Sequence, residues 1–254
     1  MFEIYLCDFS LLLSWNCKHP HNLTSPHSKI PTSPQVHMRT ISIVSQKGGA
    51  GKTTLAIHLA AMAAATGHTP IIIDLDPQAT AAAWSDWRAG EQPEVVTAPH
   101  TRLIETLSKA EKLGADIAII DTPPHSDAAA VQAVKAADLV LIPCRPHAFD
   151  LHAVKTTADL TNLTQRPVCV VFNGVQPQAT AVVLQAQDIV QAIGLSFAPV
   201  FLSQRAAFLS AAGAGKTVMD IEPIGKAARE VEALWQWASE QLDLRAIVNQ
   251  GNAA

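Results

Sequence analysis

Gln46-Lys47-Gly48-Gly49-Ala50-Gly51-Lys52-Thr53-Thr54 is the stretch of this chain whose residue types and spacing point most directly to chemistry. A β-branched run, Ile41-Ser42-Ile43-Val44, leads into it, and an alanine-rich helical pattern leaves it. Glycines let the backbone N–H groups turn inward, and the N-terminus of the following helix adds partial positive charge, so the stretch is suited to cradle phosphate. Lys52 is placed to reach β- and γ-phosphates, and the Thr53 hydroxyl to hold Mg²⁺. One letter departs from G-x-x-x-x-G-K-[ST]: Gln46 stands at the first glycine, and a second lysine, Lys47, follows it. Two further apolar runs end in acids, Ile73-Asp74-Leu75-Asp76-Pro77-Gln78 and Ile119-Ile120-Asp121-Thr122-Pro123-Pro124. Open parallel sheets bind ligands at the carboxyl ends of their strands. Asp121 there suits a metal-supporting carboxylate, holding Mg²⁺ through water.

The elements that must position these residues follow from the periodicity. Short apolar runs alternate with helical patterns, which predicts an α/β fold: a doubly wound, mostly parallel sheet with helices on both faces. Strands are expected at 41–45, 70–74, 117–121, 139–142, 168–172 and 199–202. Helices are expected at 52–66, 78–89, 101–113, 126–136, 151–163, 179–193, 204–212 and 224–241. Gly67 sits where the first helix should stop, and Asp150 is expected to cap the helix opening at Leu151. Gly-Ala-Gly-Lys-Thr recurs at 213–217, but it follows helical residues rather than a strand. It is expected to be a helix-ending loop carrying a surface lysine, Lys216, with no role in phosphate binding. His58 is expected to pack a helix.

Lys47-Gly-Gly-Ala-Gly-Lys52-Thr-Thr, Asp74-Leu-Asp76-Pro-Gln and Asp121-Thr-Pro-Pro together resemble the deviant Walker A, Walker A′ and Walker B motifs of the ParA/MinD ATPases, a P-loop NTPase family. The likeness runs from Met38 to the C-terminal helix, and the Asp-x-Asp-Pro-Gln element favours the small ParA type. The resemblance implies ATP and Mg²⁺ as cofactors, with Lys47, Gly48, Gly49, Ala50, Gly51, Lys52, Thr53 and Thr54 around the nucleotide and Asn173 on adenine. It implies a catalytic set of Lys47, Lys52 and Asp76, Asp76 positioning the attacking water, and a metal set of Thr53, Asp76 and Asp121. It also implies an ATP-sandwich homodimer in which Lys47 reaches the partner's phosphates. Lys52 already fills the slot at its own nucleotide, so a second lysine acting in trans is physically reasonable, and intrinsic turnover should be slow. Ala50 and His58 depart from the family's more usual Val and Asn.

By the same resemblance, the ATP dimer binds DNA non-specifically, here through Arg205, Lys216, Lys226 and Arg229. A ParB-like partner stimulates hydrolysis and release, segregating a plasmid or chromosome from a cytoplasmic, nucleoid-associated pool. The alternatives are a MinD-like membrane-cycling ATPase or an ATP-gated scaffold for a protein complex. The formal net charge of −4 argues against bulk coating of nucleic acid, while a local basic patch remains compatible. Membrane targeting needs a C-terminal amphipathic helix with a basic polar face, and residues 227–242 instead carry Glu230, Glu232 and Glu240 with Arg229 as their cation. Four cysteines without a C-x-x-C pair fit reduced thiols better than a metal site. The opening residues 1–37, with Pro20, Pro26, Pro31 and Pro34 among polar residues, are expected to be a disordered or mis-assigned extension. The ATPase domain is expected over 38–254, starting at Met38.

Overall fold

Strand β1 (Arg39–Ile43) runs up the centre of a sheet whose order is β3-β2-β4-β1-β5-β6-β7. The other strands of that sheet are β2 (Pro70–Asp74), β3 (Glu94–Thr97), β4 (Ile117–Asp121), β5 (Leu139–Cys144), β6 (Val168–Val175) and β7 (Ser196–Phe197). A two-residue strand β8 (Leu202–Ser203) pairs with β6 off this path. The computed structural model describes residues 37–88, 92–161 and 166–244, all within one compact unit that begins at Val36. The expected extension lies outside the described residues except for its last position, His37. Every strand pair among the described residues is parallel. The cause is legible in β2, β4 and β5, which are apolar along nearly their whole length and buried on both faces, as parallel strands sandwiched by helices must be.

Alternate strand residues feed two cores. Ile41, Ile43, Ile117, Ile119, Leu139 and Leu141 pack with α1 (Lys52–Ala65), α2 (Thr80–Trp87), α7 (Ala206–Ala212), α8 (Val218–Ile221) and α9 (Lys226–Gln241). Ala118, Ile120, Val140, Ile142, Val170 and Phe172 pack with α3 (Leu103–Lys112), α4 (Asp127–Ala136), α5 (Ala148–Thr161) and α6 (Thr180–Ala192). The C-terminal helix α9 commits its apolar side to the first core: Leu234 and Trp235 are buried, and the Trp235 indole donates to Thr66 Oγ1 at 3.0 Å. No helix among the described residues is long and apolar enough to cross a membrane.

Several expected boundaries change. Strand β3, the short β7 and helix α8 have no counterpart among the expected elements, and the strand expected at 199–202 is reduced to β8. Helix α5 opens at Ala148, so Asp150 lies inside its first turn and is not its cap. The α1 helix ends at Ala65, with Gly67 just beyond.

Candidate phosphate and nucleotide site

Equal strand lengths bring the acids together. In the ladder Asp121 pairs with both Ile43 and Asp74, so β1, β2 and β4 end level with one another, and β1 continues directly into the glycine loop. Gly49 and Gly51 hold φ of 72° and 89°, a region in which an L side chain is strained. Gly51 is the N-cap of α1 and lends no side chain, so the helix presents bare backbone N–H groups and its positive end toward whatever the loop holds. Lys52 follows, buried, with Nζ donating to Ser45 O at 3.1 Å and Lys47 O at 3.2 Å. Burial lowers its pKa, opposed by the charges of Asp121 and Asp76.

Lys47 takes a different direction. Its ammonium forms an ion pair with Asp150, whose side chain is 8% exposed against 38% for the lysine. Gln46, the residue in place of glycine, donates through Nε2 to Asp127 Oδ1 at 2.7 Å and so ties the loop to the start of α4. Thr54 O accepts from His58 Nδ1 at 2.7 Å, and His58 Nε2 accepts from Val218 N at 3.2 Å. Burial pushes that imidazole down to about 4, which keeps it neutral as a pin between α1 and α8.

The three acids have distinct duties. Asp74 is buried and accepts from Asp76 N and Ala81 N, each at 3.0 Å, so it shapes the turn into α2. Burial raises its pKa. Asp76 is half-buried at the mouth, one oxygen accepting from Gln78 N at 2.9 Å. Asp121 is buried, and neither carboxylate oxygen makes a hydrogen bond of good geometry among the described residues, although the Thr53 hydroxyl stands close enough to favour its charged form. Burial pushes its carboxyl up to about 7, against the pull of the Thr53 hydroxyl and the Lys52 ammonium. A buried, unpartnered carboxylate next to a threonine hydroxyl is a hard-oxygen donor set suited to Mg²⁺ or its waters. The residues therefore fit that ion.

Beside the loop lies a cavity of about 330 Å³, whose lining includes Gly51, Thr54, Arg145, Asn173, Arg205 and Phe208. Asn173, on β6, donates through Nδ2 to Ala50 O at 3.0 Å, and a Cβ on Gly51 would collide with it. The strand thus presses its carboxamide onto the loop, with Asn173 part of the cavity wall. Arg145 Nη2 donates to Gly49 O at 2.9 Å. Sequence reasoning missed Arg145, the Asp127 tie and the Asp150 pairing. Only Asp150 carried a signal, an acid at a helix start.

Of the basic residues expected at DNA, Lys216, Lys226 and Arg229 are exposed. Arg205 differs: it is half-buried, its guanidinium is engaged by Glu230 at 2.5 Å, and it lines the cavity. The 213–217 repeat packs against α2, with Trp84 Nε1 donating to Lys216 O at 3.1 Å. Gly215, at φ 64°, lies so close to the backbone of Trp87 and Arg88 that a Cβ would clash.

A parallel sheet with a glycine loop running from its central strand into a helix, and acids at the ends of the next two strands on one side of it, β4 and β2, defines a P-loop nucleotide-binding protein. The chain belongs to the CobQ/CobB/MinD/ParA nucleotide-binding domain family, which matches residues 41–219. It is 32% identical over 210 residues to the maintenance of carboxysome distribution protein A of Gloeobacter kilaueensis, covering 81% of this chain and 94% of that protein. The fold is similar to that of the septum site-determining protein MinD of Pyrococcus horikoshii complexed with Mg-ADP, with a TM-score of 0.67 at 17% identity over 83% of this chain and 100% of the other. It is also similar to the ATP complex of a Cyanothece McdA variant, with a TM-score of 0.63 at 17% identity over 84% and 99%.

Proposed function

We propose that this chain is an ATP-dependent positioning ATPase that works as a nucleotide-sandwich homodimer. The observation that carries the reading is the Asp121 carboxylate, buried and unpartnered beside Lys52 and Thr53 at the phosphate loop. Thr53, Asp76 and Asp121 would hold Mg²⁺, which when bound neutralises charge on the phosphate oxygens. Lys52 and the N–H groups of the loop and α1 grip the phosphates, Asn173 meets the adenine, and Asp76 orients the attacking water. Lys47 acts on the partner's nucleotide, so hydrolysis needs the dimer and is slow in the isolated chain. In the ATP state the dimer binds DNA non-specifically through the exposed Lys216, Lys226 and Arg229, placing the protein on the nucleoid in the cytoplasm. A ParB-like partner that speeds hydrolysis releases it.

The cargo is a plasmid, a chromosome or a large protein assembly. The name of the Gloeobacter relative, which aligns over most of both chains, supports the assembly. A MinD-like membrane cycle gains no support from α9, whose apolar side is buried in the core. The test is ATP turnover with Mg²⁺, with and without duplex DNA, alongside sedimentation with a non-hydrolysable ATP analogue. We expect slow turnover raised by DNA together with a partner, an analogue-driven dimer, and DNA affinity that falls steeply with salt. A chain that stays monomeric with the analogue and never hydrolyses ATP would refute the reading.

A further inference from the structure

Glu230, on α9, gathers four donors from one short stretch of chain. Ser203 gives its backbone N at 3.0 Å and its Oγ at 2.8 Å, and Arg205 gives Nε at 3.3 Å and Nη2 at 2.5 Å. Arg205 Nη2 also donates to Ser203 Oγ at 3.3 Å, which closes the knot. Burial works against the Glu230 charge, yet the hydrogen bonds from Arg205 and Ser203 outweigh it and hold the carboxyl below its usual range. The stretch so held is one wall of the cavity beside the phosphate loop: Ser203, Gln204, Arg205 and Phe208 line it together with Thr54 and Asn173.

Besides this knot, the wall is held by Gln204 N donating to Val175 O at 2.8 Å, a side-chain bond from Gln176 Nε2 to Gln204 Oε1, the buried Leu202, and Phe208 packed edge-on against His58. Strand β8 is two residues long, and its pairing to β6 passes through an irregularity between Asn173 and Val175. Asn173 itself is the ladder partner of Leu202. The residue expected to read the base and the wall beside it therefore share a short, bulged pairing, which cannot set a fixed geometry as a long ladder would. A charge-assisted, multidentate anchor behind the wall can.

We propose that Glu230 is a positioning residue for base recognition: acting through Ser203 and Arg205, it sets the distance between the β8–α7 wall and Asn173, and so the fit of an adenine ring between them. The proposal rests on the adenine-nucleotide reading of the cavity. The hydrogen bonds of Glu230 go to the wall and not to the phosphate loop, so its effect is confined to the base end of the ligand.

The experiment is calorimetric titration of the full chain with ATP, with GTP and with inorganic tripolyphosphate, each with Mg²⁺, in the native protein and in Glu230→Ala and Ser203→Ala. Tripolyphosphate reports on the cradle alone. Glu230→Ala is expected to weaken ATP about tenfold and to narrow the ATP-over-GTP preference by a similar factor, with tripolyphosphate affinity unchanged within about twofold. Ser203→Ala, which removes one donor and leaves the ion pair, should narrow the preference by about threefold. It carries the test if Glu230→Ala does not fold. Equal losses for ATP and tripolyphosphate, or an unchanged ATP-to-GTP ratio, would overturn the role of Glu230. If the native chain itself binds ATP no better than GTP or tripolyphosphate, the adenine reading of the cavity fails, and the proposal with it.

Discussion

Replacing Asp150 by Asn tests whether the Lys47 ion pair restrains dimer formation. In the structure Lys47 is held by Asp150 of its own chain, and for the lysine to act on a partner's phosphates that pair must break. Fully exposed pairs contribute about 0–1 kcal/mol, and parting a fully buried one costs about 3–5 kcal/mol. Here the acid is 8% exposed but the lysine 38%, so solvent screening brings the cost to about 1 kcal/mol per subunit. Two lysines move when a dimer forms, which makes about 2 kcal/mol and a dimer roughly 30-fold tighter in Asp150→Asn. Sedimentation equilibrium with a non-hydrolysable ATP analogue measures this directly. Lys47→Ala should do the reverse, abolishing the dimer while ATP affinity is largely kept. It also strands a buried carboxylate, so denaturant unfolding should show a loss of stability that adding Asp150→Asn recovers. A weaker or unchanged dimer in a folded Asp150→Asn protein would refute the reasoning, because it would mean that the ion pair does not oppose assembly.

Asp121→Asn removes a buried, unpartnered charge, so without nucleotide the variant should melt higher than the native chain, while Mg²⁺ no longer improves its ATP affinity. A lower melting point would contradict this. Gly51→Ala puts a Cβ at φ 89° and against Asn173, and should cost about 1 kcal/mol or more in urea unfolding and abolish ATP binding; native-like binding would count against the cradle. Asp220 offers a pH test: burial would raise its pKa, but hydrogen bonds from Arg88 and Thr217 bring it down to about 2. A depressed acid stabilises the fold above its unfolded pKa of about 3.8 and loses that contribution as pH falls toward 2. Melting points of the native chain and Asp220→Asn should therefore differ near pH 7 and converge between about pH 4 and 2; a constant gap would refute the role of the α2–α8 tie.

What the sequence disclosed, and what it did not, divides along contact range. The continuous apolar runs of β2, β4 and β5 are readable because burial on both faces leaves no other solution. Strand β3, four partly exposed residues at the sheet edge, has no such signature, and the two-residue β7 exists only because β6 is there to pair with it. The loop, Asp76 and Asp121 are legible because their chemistry lies within local motifs. The Asp150 pairing, the Gln46–Asp127 tie and the Ser203–Arg205–Glu230 knot join segments far apart in the chain, and no local pattern encodes that. Arg205 shows the consequence: on sequence a free cation, in the fold it is bound to a carboxylate that periodicity placed on an ordinary helix face.

The long-range contacts also explain why these residue types stand around the loop. Lys52 donates to the carbonyls of Ser45 and Lys47, Arg145 to that of Gly49 and Asn173 to that of Ala50, so each donor is satisfied by neutral backbone oxygen. A phosphate oxygen is a charged acceptor, so with it the ionised donors Lys52 and Arg145 would form full ion pairs in place of charge-to-carbonyl bonds. Exchange of carbonyl for phosphate is therefore favourable for these two cations, whereas the neutral Asn173 carboxamide stays on the loop and a neutral ligand would gain nothing from the exchange. Lys47 is the exception, since its acceptor is already an anion. Swapping one carboxylate for the edge of its own nucleotide offers little, and the exchange becomes worthwhile only where phosphate charge is denser than a single carboxylate. On the proposed reading, a second subunit's triphosphate, brought face to face, would supply that density, and the Asp150 pair would hold Lys47 in reserve until a dimer forms.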